Sequence, residues 1–555
     1  MKPTVLLLLA LFLTPLHATD HPPAAAIASA HPLATEAGFE VLNAGGNAFD
    51  AAVAVSATLA VVEPYSSGIG GGGFWLLHIA EQDRQVMIDG RERAPLAAHR
   101  DLYLDAQGEV IPKASMDGAL AAAIPGVPAA LDHLTQHYGR MPLSVALAPA
   151  IRLARDGFPV TEHYRRMASF RLAALNKDKE AARLFLRQGQ APALGELIRQ
   201  PELADVLKRM ANDGADGFYH GEVAARLVAG VRKAGGIWTA KDLADYRVVE
   251  RAPIRGRYRG FEIISAAPPS SGGIALVTML NILSGFDFKA LDESTRLHLI
   301  VEAMRRAYRD RAEFLGDPDS VAIPSEHLLH PYYADGLRAS MRKDKATPSA
   351  SLPGAVRTDG GNDTTHFSIL DQDGNAVSAT LSINYPFGAA FVPPGTGVLL
   401  NDEMDDFSLK PGVPNAYGLV GAEANAIAPG KRMLSSMTPT FVRSDERLAI
   451  LGSPGGSRII TMVLLGTLEA VDGKPPLAWV SRPRIHHQYL PDVIQHEPNA
   501  LDNTTRQALQ ARGHTLNEQQ PWGNMQAVVW DKATDRVEAA SDPRVEGMAR
   551  VDSTR

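Results

Sequence analysis

The feature of this sequence that most constrains its fold is a pair of alternating apolar runs joined by a turn in the middle of the chain. Phe367 and Ile369 alternate with polar residues in the first run, and apolar residues alternate again from Val377 to Leu381. Residues 371–374, Asp-Gln-Asp-Gly, lie between the runs and are typical of a tight turn. We therefore predict an antiparallel β-hairpin here.

Two threonines stand immediately before this hairpin, at positions 364 and 365. The simplest interpretation is that these β-branched residues only open a strand. A second interpretation is that cleavage of the Asp363-Thr364 bond makes Thr364 a new N-terminus. The threonine hydroxyl would then be activated by its own α-amino group, which titrates at about pH 7.7–8.0. While Asp363 is attached, that nitrogen is an amide and cannot act as a base.

The hairpin register brings two polar side chains close to Thr364. If Leu370 pairs with Asn375 across the turn, the second strand ends beside Thr364, with a margin of one residue. Ser382 and Asn384 then lie at the same end as Thr364, and their side chains share one face because the period of a strand is two. The spacing therefore predicts a hydroxyl and an amide beside the proposed nucleophile.

Length and composition place the chain among globular proteins. Its 555 residues are enough for several average domains or for one large layered α/β structure. The fractions of hydrophobic residues, 45%, and of charged residues, 21%, are ordinary. A net charge of -7 and the lack of a long basic run argue against nucleic acid or an anionic membrane as the main partner.

The first 18 residues are typical of a secretory signal peptide. Met1-Lys2 precedes nine apolar residues at positions 5–13, and Ala18-Thr19 offers a cleavage site. Nine apolar residues are too few to span a bilayer, which takes about 20. The chain has no cysteine, so it forms no disulfide and carries no lipid on a cysteine. We expect a periplasmic or secreted bacterial protein without a membrane anchor after signal removal.

Further stretches predict individual elements. Residues 42–62 are apolar nearly all round and predict one buried helix that ends before Pro64. Residues 70–73 are four glycines; the helix that a dinucleotide site requires does not follow them, so they predict close backbone packing. Residues 295–315 predict a helix whose charged residues form a solvated face. The polar residues 345–363 predict an exposed segment where chain ends could separate after cleavage.

Three later motifs carry groups suited to catalysis or binding. Residues 402–406 hold four carboxylates, which as an isolated run suggest a solvated acidic loop, although close anions favour a nearby cation. Glu403 and Asp406 would face the same side of a helical turn. Ser435-Ser436 offers hydroxyl donors, and residues 452–457 offer backbone N–H groups for an oxyanion hole; each could also be a simple turn.

Two common catalytic classes are disfavoured by the motifs. Gly452-Ser453-Pro454 does not match the G-x-S-x-G pattern of serine hydrolases. His486 and His487 are adjacent, and the sequence has no H-E-x-x-H motif. We therefore predict no metal and no cofactor, and we interpret the two histidines as structural.

In combination, these motifs resemble those of γ-glutamyltranspeptidases, also called glutathione hydrolases, and occur in the same order. The resemblance covers nearly the whole chain after the leader. In the second half of the chain it rests on Thr364-Thr365-His366 and on residues 401–407, 434–437, 452–458 and 541–544. In the first half it rests on residues 68–74, Arg91-Glu92 and residues 268–273.

The resemblance implies an α+β fold, the four-layer αββα sandwich of the N-terminal-nucleophile hydrolases. It also implies one precursor that cleaves itself between Asp363 and Thr364. Residues 1–18 would be the signal peptide, residues 19–363 the large subunit and residues 364–555 the small subunit, and the two subunits would associate in one compact unit.

The resemblance also assigns roles to residues. Thr364 would be both nucleophile and terminal-amine base, supported by Ser382, with Gly455 and Gly456 as the oxyanion hole. Arg91, Ser435 and Ser436 would bind the α-carboxylate of the substrate, and Asn384, Glu403 and Asp406 would bind its α-ammonium. The implied donors are glutathione and other γ-glutamyl compounds, and the acceptors are water, amino acids or dipeptides.

The chain departs from the family pattern in two places. Ser382 stands where threonine is more usual, and Gly90 precedes Arg91 where a larger side chain is more usual. Residues 411–418 resemble a loop that covers the pocket in many members and is absent from related cephalosporin acylases. Two alternatives stay open: a glutaryl or cephalosporin-type acylase of the same fold, and a non-catalytic periplasmic binding protein.

Overall fold

The computed structural model describes residues 21–352, 364–410 and 412–553. The predicted signal peptide therefore lies outside the described residues. So do residues 353–363, which include Asp363, and Pro411. Within the described ranges, no helix is both long enough and apolar enough to cross a membrane.

Two antiparallel sheets form the centre of the molecule. The first contains seven strands in the spatial order β18 (Met548–Asp552), β1 (Ala25–Ser29), β9 (Thr365–Leu370), β10 (Ala376–Ser382), β2 (Gly72–Ile79), β3 (Arg84–Gly90) and β6 (Val249–Arg251). The second contains six, in the order β17 (Arg536–Ser541), β16 (Gln526–Asp531), β12 (Arg447–Gly452), β11 (Thr440–Arg443), β8 (Phe261–Ser265) and β7 (Ile254–Tyr258). Smaller sheets pair β13 (Ile485–His486) with β14 (Ile494–His496) and β14 with β15 (Leu516–Glu518), and β4 (Phe158–Pro159) with β5 (Leu197–Ile198).

Helices cover the outer faces of the two large sheets. The N-terminal group contains α1 (Pro32–Asn43), α2 (Ala48–Val62), α3 (Val127–His137), α4 (Leu143–Asp156), α5 (Glu162–Phe170), α6 (Leu172–Leu175), α7 (Lys179–Phe185), α8 (Pro201–Asp213), α9 (Asp216–Tyr219), α10 (Gly221–Lys233) and α11 (Ala240–Ala244). The second group contains α12 (Gly272–Leu283), α13 (Glu293–Phe314), α14 (Ser325–Leu329), α15 (Pro331–Ala339), α16 (Ile459–Val471), α17 (Pro476–Ser481) and α18 (Asn503–Ala511).

Strand alternation divides the core into two parts. Ile27 and Trp75 face the N-terminal helices and belong to the same apolar cluster as α2 and α4. Their neighbours Ala26 and Phe74 face the second sheet and belong to the cluster that includes α12, α13 and α16. Adjacent residues of one strand thus bury against opposite layers, as the period of two requires. The predicted α+β, four-layer αββα architecture is confirmed.

The hairpin predicted from the alternating runs is β9 and β10. Leu370 pairs with Ala376 and Thr365 with Leu381, so the register differs by one residue from the predicted Leu370–Asn375 pairing and stays within its margin. Asp371 causes the shift, because its Oδ1 accepts hydrogen bonds of 2.9 Å from the backbone N–H groups of residues 373 and 375. Ser382 is consequently the β10 residue beside Thr364.

The prediction of a single helix over residues 42–62 is wrong for its first part. The chain ends α1 at Asn43 and starts α2 at Ala48. Asn47 causes the break because its side-chain oxygen accepts hydrogen bonds from the N–H groups of Phe49 and Asp50, while the Asp50 carboxylate accepts the Asn47 N–H. This is a capping box, which fixes a helix start. From Ala48 to Val62 every residue is buried, as predicted.

The predicted helix at residues 295–315 corresponds to α13, but its charged residues do not form a solvated face. Glu302, Arg305, Arg306, Asp310 and Arg311 are all buried. The Glu302 carboxylate binds the Arg306 guanidinium at 2.6 Å, so opposite charges on the same helix compensate one another away from water. Periodicity alone does not separate such a paired face from an exposed one.

The glycine run packs backbone against backbone, as predicted. A Cβ atom on Gly70 would lie 2.1 Å from the carbonyl oxygen of Leu399, and one on Gly71 would lie 2.1 Å from that of Ser382. Any side chain at these positions would push the segment around residue 400 and the end of β10 away. The run thus lets the strands near Thr364 approach closely.

A short line of polar contacts lies between the two sheets. His366 of β9 is fully buried, and its Nδ1 lies 2.8 Å from the Thr380 hydroxyl. Gly452 of β12 leaves room for the ring, because a Cβ there would come within 2.2 Å of it. The Ser368 hydroxyl donates to the carbonyl of Gln526 at 3.2 Å. These contacts fix how the first sheet lies on the second.

We expect Asp371→Ala to lower the thermal unfolding midpoint clearly, because Asp371 also accepts the Ala48 N–H at the start of α2, at 2.9 Å. Leaving these buried N–H groups without an acceptor costs about 1–3 kcal/mol for each group. Asp373→Ala is the matched control, since Asp373 exposes half of its side chain and makes a surface ion pair with Arg140. Equal midpoints for the two variants would contradict this role of Asp371.

Candidate active site

Thr364 lies immediately before β9, is 6% exposed, and forms part of the wall of two cavities. The first, here called the charged pocket, has a volume of about 20 Å³. Its lining includes Arg91, Ser382, Asn384, Glu403, Asp406, Tyr417, Ser435, Ser436 and Gly456. The second, here called the open cavity, has a volume of about 560 Å³ and is lined by residues that include Glu63, His163, Arg166, Phe170, Gly455 and Trp522. The structure thus brings together every site residue predicted within the described ranges.

Arg91 is the centre of the charged pocket. Its guanidinium is 1% exposed and binds Glu403 Oε1 at 2.7 Å and Asp406 Oδ2 at 2.5 Å. Arg91 Nε also donates to the carbonyl oxygen of Met433 at 3.2 Å. The two acids are three residues apart on a 3₁₀ turn, Glu403–Asp406, and face the same side, as predicted. The proposed carboxylate-binding and ammonium-binding residues are therefore in direct contact.

The interpretation of residues 402–406 as a solvated acidic loop is wrong. Asp402, Glu403 and Asp405 are buried. Each accepts a hydrogen bond: Asp405 from the Ser115 hydroxyl at 2.6 Å, Asp402 from the Tyr385 N–H at 2.9 Å, and Glu403 from Arg91. The run is buried because its cation, Arg91, comes from a distant part of the chain.

Burial controls the protonation of these acids. Burial raises the pKa of Glu403 to about 8, although the Arg91 charge opposes the shift. Burial likewise raises the pKa of Asp405 to about 6 and that of Asp406 above its usual value. In the part of the chain that the structure describes, Glu403 Oε2 is buried and has no hydrogen-bond donor. An ammonium group would supply that donor and favour the ionised carboxylate.

Ser382 and Asn384 form the wall beside Thr364. The Asn384 N–H donates to the Ser382 hydroxyl oxygen at 2.7 Å. Asn384 has a φ of 73°, in the left-handed region, where the chain leaves β10 and turns toward the acidic run. Its side-chain amide donates to the Asp402 carbonyl at 3.0 Å. Serine thus provides the hydroxyl at this position without the methyl group of threonine.

The two serines of the charged pocket rest on a second buried cation. Arg311 Nη2 donates to the Ser436 hydroxyl at 3.2 Å, and its Nε donates to the Ser271 hydroxyl at 3.0 Å. Ser271 in turn donates through its hydroxyl to the Ser435 carbonyl at 2.6 Å. Sequence reasoning missed Arg311, although it follows Leu297 and Met304 at seven-residue steps and so shares their buried face.

Gly455 and Gly456 turn the chain between the two cavities. Their φ angles are 137° and 54°, conformations that favour glycine. Gly455 lines the open cavity and Gly456 the charged pocket. A 3₁₀ turn and the start of α16 follow directly, so backbone N–H groups and the positive end of a helix dipole lie near Thr364. This is the arrangement that an oxyanion requires.

The loop of residues 412–418 reaches the charged pocket through Tyr417, which lines it, and through Asn415. The Tyr417 hydroxyl donates to the Asn384 carbonyl at 2.6 Å, and the Asn415 amide donates to Asp406 Oδ1 at 3.2 Å. The Gln488 side chain holds the loop from outside through the Gly418 carbonyl, at 3.1 Å. The expectation of a loop over the pocket is thus met for the described residues.

The structure explains Gly90, the second departure from the family pattern. A Cβ atom at this position would lie 2.8 Å from the Trp75 ring. Trp75 therefore occupies the space where a side chain at position 90 would lie. The Arg91 N–H is held at 2.9 Å by Asp89 Oδ1, which fixes the direction of the arginine independently of residue 90.

The histidines outside the pocket belong to hydrogen-bond networks. His486 contacts the Thr461 hydroxyl at 2.9 Å, and His487 contacts Asp492 at 3.2 Å, consistent with structural roles. His298, Glu302 and His514 bring potential metal ligands within 4.8 Å of one another. However, the two imidazoles hydrogen-bond to each other at 2.8 Å, and Glu302 is bound by Arg306, so these lone pairs already have protein partners.

Comparison with known proteins agrees with this site. A family profile described as Gamma-glutamyltranspeptidase matches residues 34–551. The glutathione hydrolase proenzyme of Pseudomonas sp. (strain A14) is 42% identical over 545 residues, covering 95% of this chain and 95% of that protein. That of Escherichia coli (strain K12) is 41% identical over 524 residues, covering 93% and 90%. The crystal structure of cephalosporin acylase from Bacillus halodurans has a TM-score of 0.85 at 29% identity, covering 98% and 99%.

Fold, site and comparisons define the class of this protein as an N-terminal-nucleophile hydrolase. More specifically, the chain belongs to the γ-glutamyltranspeptidase family. It is an enzyme of γ-glutamyl transfer.

We expect Glu403→Gln to remove part of the pH dependence of stability. A raised pKa means that the folded state binds the proton more tightly than the unfolded state, whose glutamate titrates at about pH 4.3. This contribution to stability is present below about pH 4.3 and is lost as pH rises through the folded value of about 8. The thermal midpoint of Glu403→Gln minus that of the wild type should therefore increase between pH 5 and pH 8.

The control for this prediction is Glu423→Gln, at a carboxylate that exposes 70% of its side chain. Its midpoint difference should stay constant over the same range. A constant difference for Glu403→Gln as well would show that this carboxyl does not titrate as the buried pocket requires.

Proposed function

We propose that this enzyme transfers γ-glutamyl groups from glutathione and other γ-glutamyl compounds to water or to amino acid and dipeptide acceptors. The observation that carries the proposal is the position of Thr364 in the shared wall of the charged pocket and the open cavity. A γ-glutamyl donor has a zwitterionic head on one side of its scissile amide and a leaving amine on the other. The charged pocket offers polar and charged groups for the head, and the open cavity offers room for the leaving amine.

The precursor would cleave itself between Asp363 and Thr364. The threonine hydroxyl attacks the preceding carbonyl, the peptide nitrogen leaves as the α-amine, and water hydrolyses the resulting ester. The location of Thr364 immediately before β9, and the proenzyme names of the relatives, support this step. Residues 19–363 and 364–555 would become the large and small subunits.

The first sheet supports the expectation that the two subunits stay together. β9 comes from the small subunit and pairs with β1 of the large subunit. β10 pairs in the same way with β2. Separating the subunits would leave the hydrogen-bonding groups of these strands without partners, which is costly for buried backbone.

In the mature enzyme, the free α-amine of Thr364 would take the proton of the Thr364 hydroxyl as its oxygen attacks the γ-carbonyl. Backbone N–H groups of Gly455 and Gly456 would stabilise the oxyanion, and Ser382 would support the nucleophile. The proton then passes to the leaving amine. The γ-glutamyl-threonine ester is finally attacked by water or by an acceptor amine, and the threonine hydroxyl re-forms.

The charged pocket would bind both charges of the donor's head group. Arg91, Ser435 and Ser436 suit its α-carboxylate, with the buried Arg311 adding positive charge behind Ser436. The carboxylates of Glu403 and Asp406 and the amide of Asn384 suit its α-ammonium. These last three residues and Thr364 line one small cavity. The leaving group would lie in the open cavity.

Likeness to the cephalosporin acylase structure favours one alternative, an acylase for glutaryl-type side chains. Such substrates lack the α-ammonium group and would leave Glu403 and Asp406 without the added cation. The presence of these two acids in the charged pocket therefore favours the γ-glutamyl reaction. Rates on γ-glutamyl and glutaryl anilides, measured side by side, separate the two reactions.

We also propose export to the periplasm or the medium, based on the leader-like residues 1–18.

We expect Thr364→Ala to abolish both chain cleavage and turnover, because one hydroxyl serves both steps. Denaturing electrophoresis of purified protein should show two fragments for the wild type and one full-length chain for the variant. Thr365→Ser is the matched control and should be cleaved. Cleavage of Thr364→Ala at the same bond would contradict self-processing, and a single uncleaved chain in correctly folded wild type would support a non-catalytic binding protein.

We expect Asp406→Ala to raise KM for a γ-glutamyl anilide with a smaller effect on kcat. Losing a hydrogen bond to a charged group costs about 1.5–3 kcal/mol, which corresponds to about a 10- to 150-fold increase in KM. The control is Asp319→Ala, a half-exposed carboxylate that pairs with Arg251 outside the pocket. An unchanged KM for Asp406→Ala would rule out ammonium binding by this residue.

A further inference from the structure

Glu63 is a buried acid in the wall of the open cavity, and the reaction described above leaves it without a role. It follows directly after α2, and its N–H donates to the Leu59 carbonyl at 2.8 Å. Its own carbonyl accepts the N–H groups of Ser66 and Ser67 at 2.8 and 3.0 Å. The residue is 3% exposed, and both Glu63 and Thr364 line the open cavity. Its backbone is therefore held rigidly beside the nucleophile.

The Glu63 carboxylate points at the strand that carries the nucleophile. Its Oε2 accepts a hydrogen bond from the Thr365 hydroxyl at 2.7 Å. The α-nitrogen of Thr364 lies one residue before this contact, a step of about 3.3 Å along a strand. The other carboxylate oxygen, Oε1, accepts a long hydrogen bond of 3.4 Å from the Tyr65 hydroxyl. One oxygen thus holds Thr365, and the bond to the other from Tyr65 is long.

The surroundings of Glu63 are short of positive charge. Burial, and to a smaller extent the nearby Glu546 carboxylate, raise the pKa of Glu63 to about 7, although the hydrogen bond from Thr365 opposes the shift. Glu546 is itself hydrogen-bonded by the Thr161 hydroxyl. Of the described arginines that line the open cavity, Arg166 contacts His163 at 2.5 Å and Arg544 binds Glu497 at 2.6 Å. A cation that appeared next to Glu63 would therefore be stabilised.

We propose that Glu63 is a positioning residue that accepts a hydrogen bond from the α-ammonium group created on Thr364 by chain cleavage. This inference rests on the proposed function. Hydrolysis of the Asp363-Thr364 bond produces one carboxylate and one amine, and the amine becomes an ammonium by taking up a proton. Glu63 forms and breaks no covalent bond. Its ionised carboxylate holds the amine over the Thr364 hydroxyl, and the amine alone moves the proton during turnover.

This contact has a measurable consequence for the pH profile. A carboxylate beside an ammonium favours the charged form and raises the pKa of the amine. Because the deprotonated amine is the active base, the acidic limb of kcat/KM reports this pKa. The groups that act on Glu63 are Thr365 on β9, Tyr65 in its own loop and Glu546 near the C-terminus. His163 and Arg166 on α5 line the same cavity. Of these, Glu546 adds to the effect of Glu63 and Arg166 opposes it.

The test compares full-length, processed wild type with Glu63→Gln, using γ-glutamyl-p-nitroanilide between pH 5 and pH 10. Glutamine still accepts the Thr365 hydroxyl but carries no charge. We expect cleavage to proceed and the acidic limb to move to lower pH by about one unit or more. A second readout is the pH titration of the α-nitrogen in protein labelled with ¹⁵N-threonine, which should shift in the same direction.

The matched pair Thr365→Val and Thr365→Ser provides an independent check. Valine has the shape of threonine but no hydroxyl to orient the carboxylate, so its acidic limb should also shift, whereas serine should keep the wild-type profile. An unchanged pH profile in Glu63→Gln would overturn the proposal. An uncleaved Glu63→Gln chain would overturn it too, because the carboxyl would then act before the amine exists. Wild type without an N-terminal threonine fragment would instead refute the proposed function itself.

Discussion

The buried ion cluster around Arg91 is the interaction on which the rest of the site depends. A guanidinium that is 1% exposed is stable only when anions surround it, and Glu403 and Asp406 provide them. These partners lie more than 300 positions apart in sequence, since the separation of Arg91 and Glu403 is 312 residues. The end of β3 and the acidic run must therefore meet, and their meeting defines the charged pocket.

The cluster also leaves unused hydrogen-bonding capacity at the right place. Glu403 lines the charged pocket, and within the described ranges its Oε2 is buried and has no hydrogen-bond partner. Such atoms raise the free energy of the folded protein unless a ligand provides donors. The pocket is thus organised in advance for a charged, donor-rich group, and the elements around it supply the stability that this arrangement costs.

Much of the fold and of the site could be predicted because local patterns determine them. The alternation of residues 365–381 specifies the hairpin, and the apolar steps of α13 specify its bounds within two residues. The capping box at Asn47 was missed because it lies inside an apolar run, where small residues conceal a helix start. The contacts of Arg311 were missed because its partners, Ser271 and Ser436, come from other parts of the chain. Contacts between distant parts of the chain leave no periodic signal.

The line of polar contacts between the sheets decides which threonine reaches the site. His366 fits only opposite Gly452, and its ring nitrogen requires the Thr380 hydroxyl. If β9 slid by one residue, every side chain would change faces, and the imidazole would enter the apolar layer against α2. Thr365 would then take the place of Thr364. A histidine that takes no part in the chemistry thus acts as a register lock that selects one of two neighbouring hydroxyls.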